Sequence, residues 1–354
     1  MEIRDILAGI TQTGASDIFV ITGLPLTFKL QGKMHSYNEY KLTAQMTAEF
    51  ITHIYLLAEG RDMDRFYQTG DDDFSFAIPG VARYRANTFK QRGSLSAVIR
   101  VITYTVPQPS DIGIPENIME LVNRQKGMVL VTGPAGSGKS TTLACMIDAI
   151  NSRREAHIIT LEDPLEYLHM HKMSIVSQRE VNTDTESYLT ALRASLRQSP
   201  DVILLGEMRD YETMNVAMTA AETGHLILST LHTIGAANTI DRIIDAFPPN
   251  QQHQISIQLS MVLQAVVSQQ LIPAEDGRVV PAFEIMTVTP AIRNMIRESK
   301  IHQIDGMIYS SAADSNMLAM DTSLLCLCQS GIISEKNAMT YATNPDMLQK
   351  KLRS

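Results

Sequence analysis

A run of nine residues, Gly133-Pro134-Ala135-Gly136-Ser137-Gly138-Lys139-Ser140-Thr141, limits what this chain can fold into more than any other feature. It fits the pattern G-x-x-x-x-G-K-[ST], in which glycines let successive backbone N–H groups turn inward on a phosphate. Lys139 is then placed to reach the β- and γ-phosphates of a nucleotide, and the Ser140 hydroxyl to ligate Mg²⁺. All nine residues are candidate nucleotide contacts, with ATP and Mg²⁺ as the implied cofactors. Such a loop works only between a buried strand and the start of a helix, and both are legible: Met128 to Thr132 is an apolar run, and Thr141 to Ile150 reads as helix.

The surrounding pattern extends that unit into an α/β layer. Ala156 to Leu161, Val202 to Leu205 and Leu226 to Thr230 are short apolar runs bounded by turn residues, as strands buried on both faces of a parallel sheet require. Thr183 and Glu186 are spaced as a capping box ahead of a helix carrying Leu189, Leu192 and Leu196 on one face. Upstream, residues 1–105 mix short β-branched and aromatic runs (Ile18 to Thr22, Phe74 to Ile78, Tyr84 to Phe89, Ala97 to Ile102) with a helix over Ala44 to Leu57 opened by Thr43, which reads as a small α+β domain. Pro107, Pro109, Gly113 and Pro115 mark 106–115 as a linker. The core domain is expected over 116–240, and 241–354 reads as mainly helical, with helices over Gln251 to Gln270, Pro290 to Glu298, Thr322 to Gln329, Glu335 to Tyr341 and Pro345 to Leu352.

Charge and composition narrow the partners. With 30 basic against 38 acidic side chains, a net charge of −8, no nucleic acid partner is expected. Cys145, Cys326 and Cys328 supply neither a disulfide framework nor paired zinc-site spacing. Charges in the first ten residues and the lack of a long apolar run predict no transmembrane segment and a cytoplasmic protein.

Hydrolysis at a phosphate loop needs carboxylates at neighbouring strand ends to hold the metal shell and orient water. Two segments offer them: Glu162-Asp163 after Ile158 to Leu161, and Glu207 after Val202 to Gly206, where Gly206 stands in the position an Asp usually takes. Glu162 and Glu207 are candidate catalytic residues with undivided roles, and Glu207 joins Ser140 as a candidate metal contact. His225 and His232 bracket another strand, so that one could sense the γ-phosphate while the other fixes the strand end.

These segments, Leu161 to Tyr167, Gly206 to Asp210 and Gly224-His225 with Leu231-His232-Thr233, resemble the Walker A, Asp box, atypical Walker B and His box of type II/IV secretion ATPases. Gly14 to Ile18, Gly80 to Asn87 and Ala291 to Glu298 are similar to motifs of the PilT-type pilus-retraction branch, with Met295 in place of the branch's Leu. The resemblance covers nearly the whole chain. It implies a PAS-like N-terminal domain followed by a RecA-like P-loop ATPase domain and a helical C-terminal region. It also implies a homohexamer in which Arg83, Arg85 and Arg100 contact phosphate, serving an inner-membrane pilus platform protein from the cytoplasmic side. The four-cysteine zinc insertion common in assembly and secretion ATPases is absent, which points to retraction. The competing expectations are a secretion or accessory pilus motor, a nucleotide-binding scaffold with little turnover, and a RecA-like DNA translocase.

Overall fold

The computed structural model describes residues 2–30, 32–102, 104–310 and 317–353. They form two compact units, Met1–Thr105 with Leu165–Leu168, and Val106–Pro164 with His169–Ser354.

The first unit is built on six antiparallel strands: β1 (Asp17–Val20), β2 (Thr27–Leu30), β3 (Lys33–Ser36), β4 (Asp71–Ile78), β5 (Ala82–Gln91) and β6 (Ser94–Ile102). Their order is β3-β2-β1-β6-β5-β4. Strand β4 alternates buried and exposed residues, burying Phe74, Phe76 and Ile78 on the face that the helices Ile3–Gln12 and Ala44–Leu57 cover. The second helix starts where expected, because the Thr43 hydroxyl accepts from Met46 N. The first helix, β2 and β3 escaped the sequence reading. Glu2 makes no side-chain cap, and β3 is exposed at every position, so neither a cap nor an apolar alternation marks them.

One buried charge anchors this unit. The Asp72 carboxylate, its side chain 1% exposed, accepts from Arg61 Nε at 3.0 Å and Nη2 at 3.1 Å and from the Tyr55 hydroxyl at 2.9 Å. Burial alone would raise the Asp72 carboxyl, but the hydrogen bonds from Arg61 and Tyr55 outweigh it and hold the group below the ordinary aspartate range. Asp72→Ala is expected to cost about 2 to 3 kcal/mol, since it removes the bonds that Arg61 and Tyr55 make to a buried carboxylate and leaves the Tyr55 hydroxyl with Thr88 Oγ1 alone. Urea unfolding measures this. A depressed carboxyl stabilises the fold only while ionised. The wild-type advantage over Asp72→Asn is therefore full above the unfolded value of about 3.9 and is lost as pH falls through the lower folded value.

The second unit holds seven strands: β7 (Gly127–Thr132), β8 (His157–Glu162), β9 (Ile175–Glu180), β10 (Val202–Leu205), β11 (Leu226–Leu231), β12 (Leu263–Pro273) and β13 (Val279–Thr287). The order is β13-β12-β7-β11-β10-β8-β9, parallel throughout except for the β12–β13 pair. Alternate residues feed two separate cores: Met128, Leu130, Ile203 and Leu205 on one face, Val129, Val131, Val202 and Leu204 on the other. That double burial is why these strands read as unbroken apolar runs.

Two expectations are corrected. The helix expected to run to Gln270 ends at Val262, and β12 follows directly. The β-branched run Val266-Val267 is drawn into the sheet between β7 and β13, a non-local pairing that overrides helical periodicity. The proposed capping box at Thr183 does not form: the helix Tyr188–Ser195 is capped by Ser187, whose hydroxyl accepts from Thr190 N at 3.2 Å. Residues 182–185 instead make a turn in which the Asp184 carboxylate accepts from Glu180 N. The helices Met320–Gln329, Glu335–Tyr341 and Pro345–Leu352 pack together over Ile272 and Ala282 as a C-terminal layer.

Candidate nucleotide site

Because β7, β8, β10 and β11 run parallel, their C-terminal ends share one edge of the sheet, where ligands of such folds bind. The phosphate loop leaves β7 there and feeds the helix Lys139–Arg153, the positive end of whose dipole faces the loop. Its glycines are steric requirements. A side chain on Gly133 (φ +142°) would place Cβ 2.1 Å from the Gln269 carbonyl oxygen, and one on Gly138 (φ +87°) would meet the Gln269 amide nitrogen at 2.8 Å. Gln269 of β12 grips the helix as well, its Oε1 accepting from Thr142 Oγ1 at 2.7 Å. Lys139 is 8% exposed and donates from Nζ to the carbonyls of Gly133 at 2.9 Å and Pro134 at 2.8 Å. Pro134, Ala135 and Gly136 form the exposed rim, and Ser140 and Thr141 open the helix half-buried.

The loop fits a phosphate. Ser137 Oγ is buried in it with no partner, an orphaned polar atom of the kind a bound anion satisfies. Among the described residues no three His, Cys, Asp or Glu side chains converge as a protein metal cage. Ser140 at the helix start and Glu207 just beyond β10 are the groups that would hold a Mg²⁺ ion, with waters and phosphate oxygens completing its shell.

The neighbouring strand ends bring the acids to the same edge. Leu205 pairs with Leu161 on one side and Ser229 on the other, so Glu162, Gly206 and Thr230 lie side by side. Glu162 Oε1 accepts from Thr160 Oγ1 at 2.6 Å. The Glu207 side chain, 11% exposed, lies between two neighbours: Arg209 Nη2 stands 2.5 Å from Oε1, and His232 Nε2 3.6 Å from Oε2. Glu207, Arg209, Thr230, His232 and Arg242 line a cavity of about 270 Å³.

Not every predicted residue converges. His225 precedes β11 and therefore lies at the opposite edge of the sheet, seven residues and roughly 23 Å of extended chain from His232. There its Nδ1 sits 2.9 Å from the Ala220 carbonyl, tying the helix Tyr211–Glu222 to the strand start. Of the two, only His232 lies at the loop edge of the sheet, and His225 fixes the start of β11. Arg83 and Arg85 are carried by β5 of the first unit, where Arg85 pairs with Asp73 through Nη2 at 2.6 Å, and Arg100 on β6 reaches Asp17 at 3.2 Å. Sequence reasoning missed Gln269, Arg209, Thr230 and Tyr188, the last of which reaches the slot beside Gly206. Arg209 alone had a signal, following Glu207 at two residues.

A strand, phosphate loop and helix in a parallel sheet, with carboxylates at adjacent strand ends, define a RecA-like P-loop ATPase core. The model of the type II/IV secretion system protein family matches residues 1–315. The chain is 44% identical to the type IV pilus retractation ATPase PilT of Pseudomonas aeruginosa over 349 residues, 98% of this chain and 99% of that one. It is 35% identical to the type IV pilus ATPase PilU of the same organism, covering 100% of this chain and 92% of PilU. A crystal structure of the pilus retraction motor PilT with bound ADP superposes with a TM-score of 0.89 at 43% identity, over 99% of each chain. The chain belongs to the type II/IV secretion system protein family, in its PilT-type branch.

Proposed function

We propose that this chain is an ATP-hydrolysing motor that drives type IV pilus retraction. The observation that carries the reading is the shared sheet edge, where Lys139 and Ser140 of the loop face Glu162, Glu207 and His232 at the ends of β8, β10 and β11. A scaffold that only bound nucleotide would need the loop but not the flanking acids. The loop amides and Lys139 hold the phosphates; Ser140 and Glu207 would hold Mg²⁺, which would supply charge neutralisation at the reacting phosphates. Glu207 takes the proton of the attacking water, Glu162 orients the surrounding solvent shell, and His232 reports the state of Glu207 along β11. Arg83 and Arg85 supply guanidinium forks to the phosphates across a subunit boundary of a homohexameric ring. The ring acts on an inner-membrane platform protein at the pilus base; no helix among the described residues is long and apolar enough to cross a membrane. Restoration of pilus retraction in cells deleted for the chain tests the assignment. A strain that keeps retracting without it, and loses force only, would reveal an accessory motor.

The helix Pro290–Arg297 separates packing from force transmission. Ile292 and Ile296 are fully buried, whereas Arg293 and Arg297 make only peripheral contacts, Arg293 Nη1 to the Met261 carbonyl at 3.2 Å and Arg297 Nη2 to Asn294 Oδ1. Replacing both arginines by Ala is expected to change stability by less than about 1 kcal/mol and to leave ATP turnover intact. Retraction in complemented cells should fail. If it is restored, the segment is ordinary helix packing.

A further inference from the structure

Gly206 stands where such strands usually end in an acid, and its surroundings require a glycine. A Cβ built there would lie 2.8 Å from the Tyr188 hydroxyl, 3.3 Å from the Leu161 carbonyl oxygen and 3.4 Å from Glu162 Cα. Glycine is also the residue that holds a backbone direction least well, because no side chain limits its φ and ψ. The next residue is Glu207, whose carboxylate has to be aimed. The backbone that carries it must therefore be fixed by groups outside residue 206.

The strands on both sides supply that restraint. Gly206 N donates to the Leu161 carbonyl of β8 at 2.8 Å. The pairing of β10 with β11 ends at Leu205 and Ser229, and just past it Thr230 Oγ1 donates to the Gly206 carbonyl at 2.5 Å. The same threonine takes hold again beyond Glu207, where Met208 N donates to the Thr230 carbonyl at 3.4 Å. Glu207 is thus flanked by two bonds to one residue of β11. Thr230 is 5% exposed, so water competes little for either bond, and its β-branch stiffens the side chain that brings the donor. The Gly206 carbonyl and the Glu207 amide belong to one rigid planar unit, so a bond to that carbonyl sets the plane from which Glu207 departs. Two residues further on, His232 Nε2 lies 3.6 Å from Glu207 Oε2. The end of β11 therefore meets Glu207 twice, at its backbone through Thr230 and at its carboxylate through His232.

We propose that Thr230 is a positioning residue, whose hydroxyl, by holding the Gly206 carbonyl, fixes the direction from which the Glu207 carboxylate meets the attacking water. The inference rests on the reading of Glu207 as the group that takes the water's proton. It gives the buried hydroxyl the task of stiffening a strand end that has to be glycine.

Two pairs of side chains differ chiefly in the hydroxyl: Thr against Val, and Ser against Ala. Thr230→Val is expected to lower kcat for ATP about tenfold with KM changed by less than about twofold, because the nucleotide contacts stay while the reacting geometry loosens. Thr230→Ser should keep kcat within about twofold of wild type although it lacks the methyl, and Thr230→Ala should fall with Thr230→Val. In the Glu207→Gln background, Thr230→Val should cause no further loss in single-turnover rate, since the group it positions is already disabled. If turnover instead follows packing, with Thr230→Val near wild type and Thr230→Ser as slow as Thr230→Ala, the threonine only fills space and the inference is overturned. A further loss in the double variant, or a rise in KM that accounts for the whole effect, overturns it as well by giving the hydroxyl a role apart from Glu207. All three results leave the catalytic reading standing. Wild-type turnover in Glu207→Gln itself would defeat that reading, and this inference with it.

Discussion

Lys139→Ala is expected to lower ATP hydrolysis by at least about 10² to 10³-fold while the chain still folds, because one positive charge at the transferring phosphoryl group is lost and the loop's shape is not. The shape comes from elsewhere. Gly133 and Gly138 are seated against Gln269, and the helix that follows is held by the Thr142 to Gln269 hydrogen bond. Lys139 also donates to the carbonyls of Gly133 and Pro134. Truncation leaves the Pro134 carbonyl at the exposed rim, where water can reach it, and the Gly133 carbonyl buried, so the stability loss should be about 1 to 3 kcal/mol. Phosphate release and thermal unfolding followed by circular dichroism, measured on the same preparation, separate the two effects. A folded variant with normal turnover would remove this loop from the reaction.

What could be seen in the sequence was what short-range physics specifies. The helix Ala44–Leu57 was legible with its Thr43 cap, and Val202–Leu205 as a strand, because a cap and a doubly buried strand are each written in contiguous residues. Strand β12 was not. It buries Ser268, Gln269 and Gln270 alongside its aliphatic residues, and what makes that tolerable is pairing with β7 and β13, which no local pattern encodes. The site divides the same way. The phosphate loop is one segment and could be found, and Glu162 and Glu207 could be found as acids after apolar runs. Gln269 and Tyr188 reach the site from other elements, and only the folded sheet brings them there. His225 teaches a different point: a motif lists residues in order without saying which end of a strand each occupies. Strand polarity does say it, since a residue before β11 belongs to the edge away from the loop.

Glu207→Gln is expected to bind ATP within a few-fold of wild type and to lose hydrolysis by about 10² to 10⁴-fold. The amide is isosteric, so the packing of an 11% exposed side chain is undisturbed, and its oxygen can still accept from Arg209. What disappears is the negative charge and the capacity to take a proton from water as the γ-phosphoryl group departs. The partners around the site make the outcome informative. Arg209 and His232 approach Glu207 from two sides, and both are largely exposed, so neither is committed to structural burial. Glu162, by contrast, already accepts from Thr160 Oγ1 and sits at the very end of β8. If the proton went to Glu162, Glu207→Gln would turn over normally and Glu162→Gln would be dead. With the roles proposed here, Glu207→Gln stalls with ATP bound in single-turnover experiments, while Glu162→Gln slows the reaction and weakens its dependence on Mg²⁺ concentration without abolishing it.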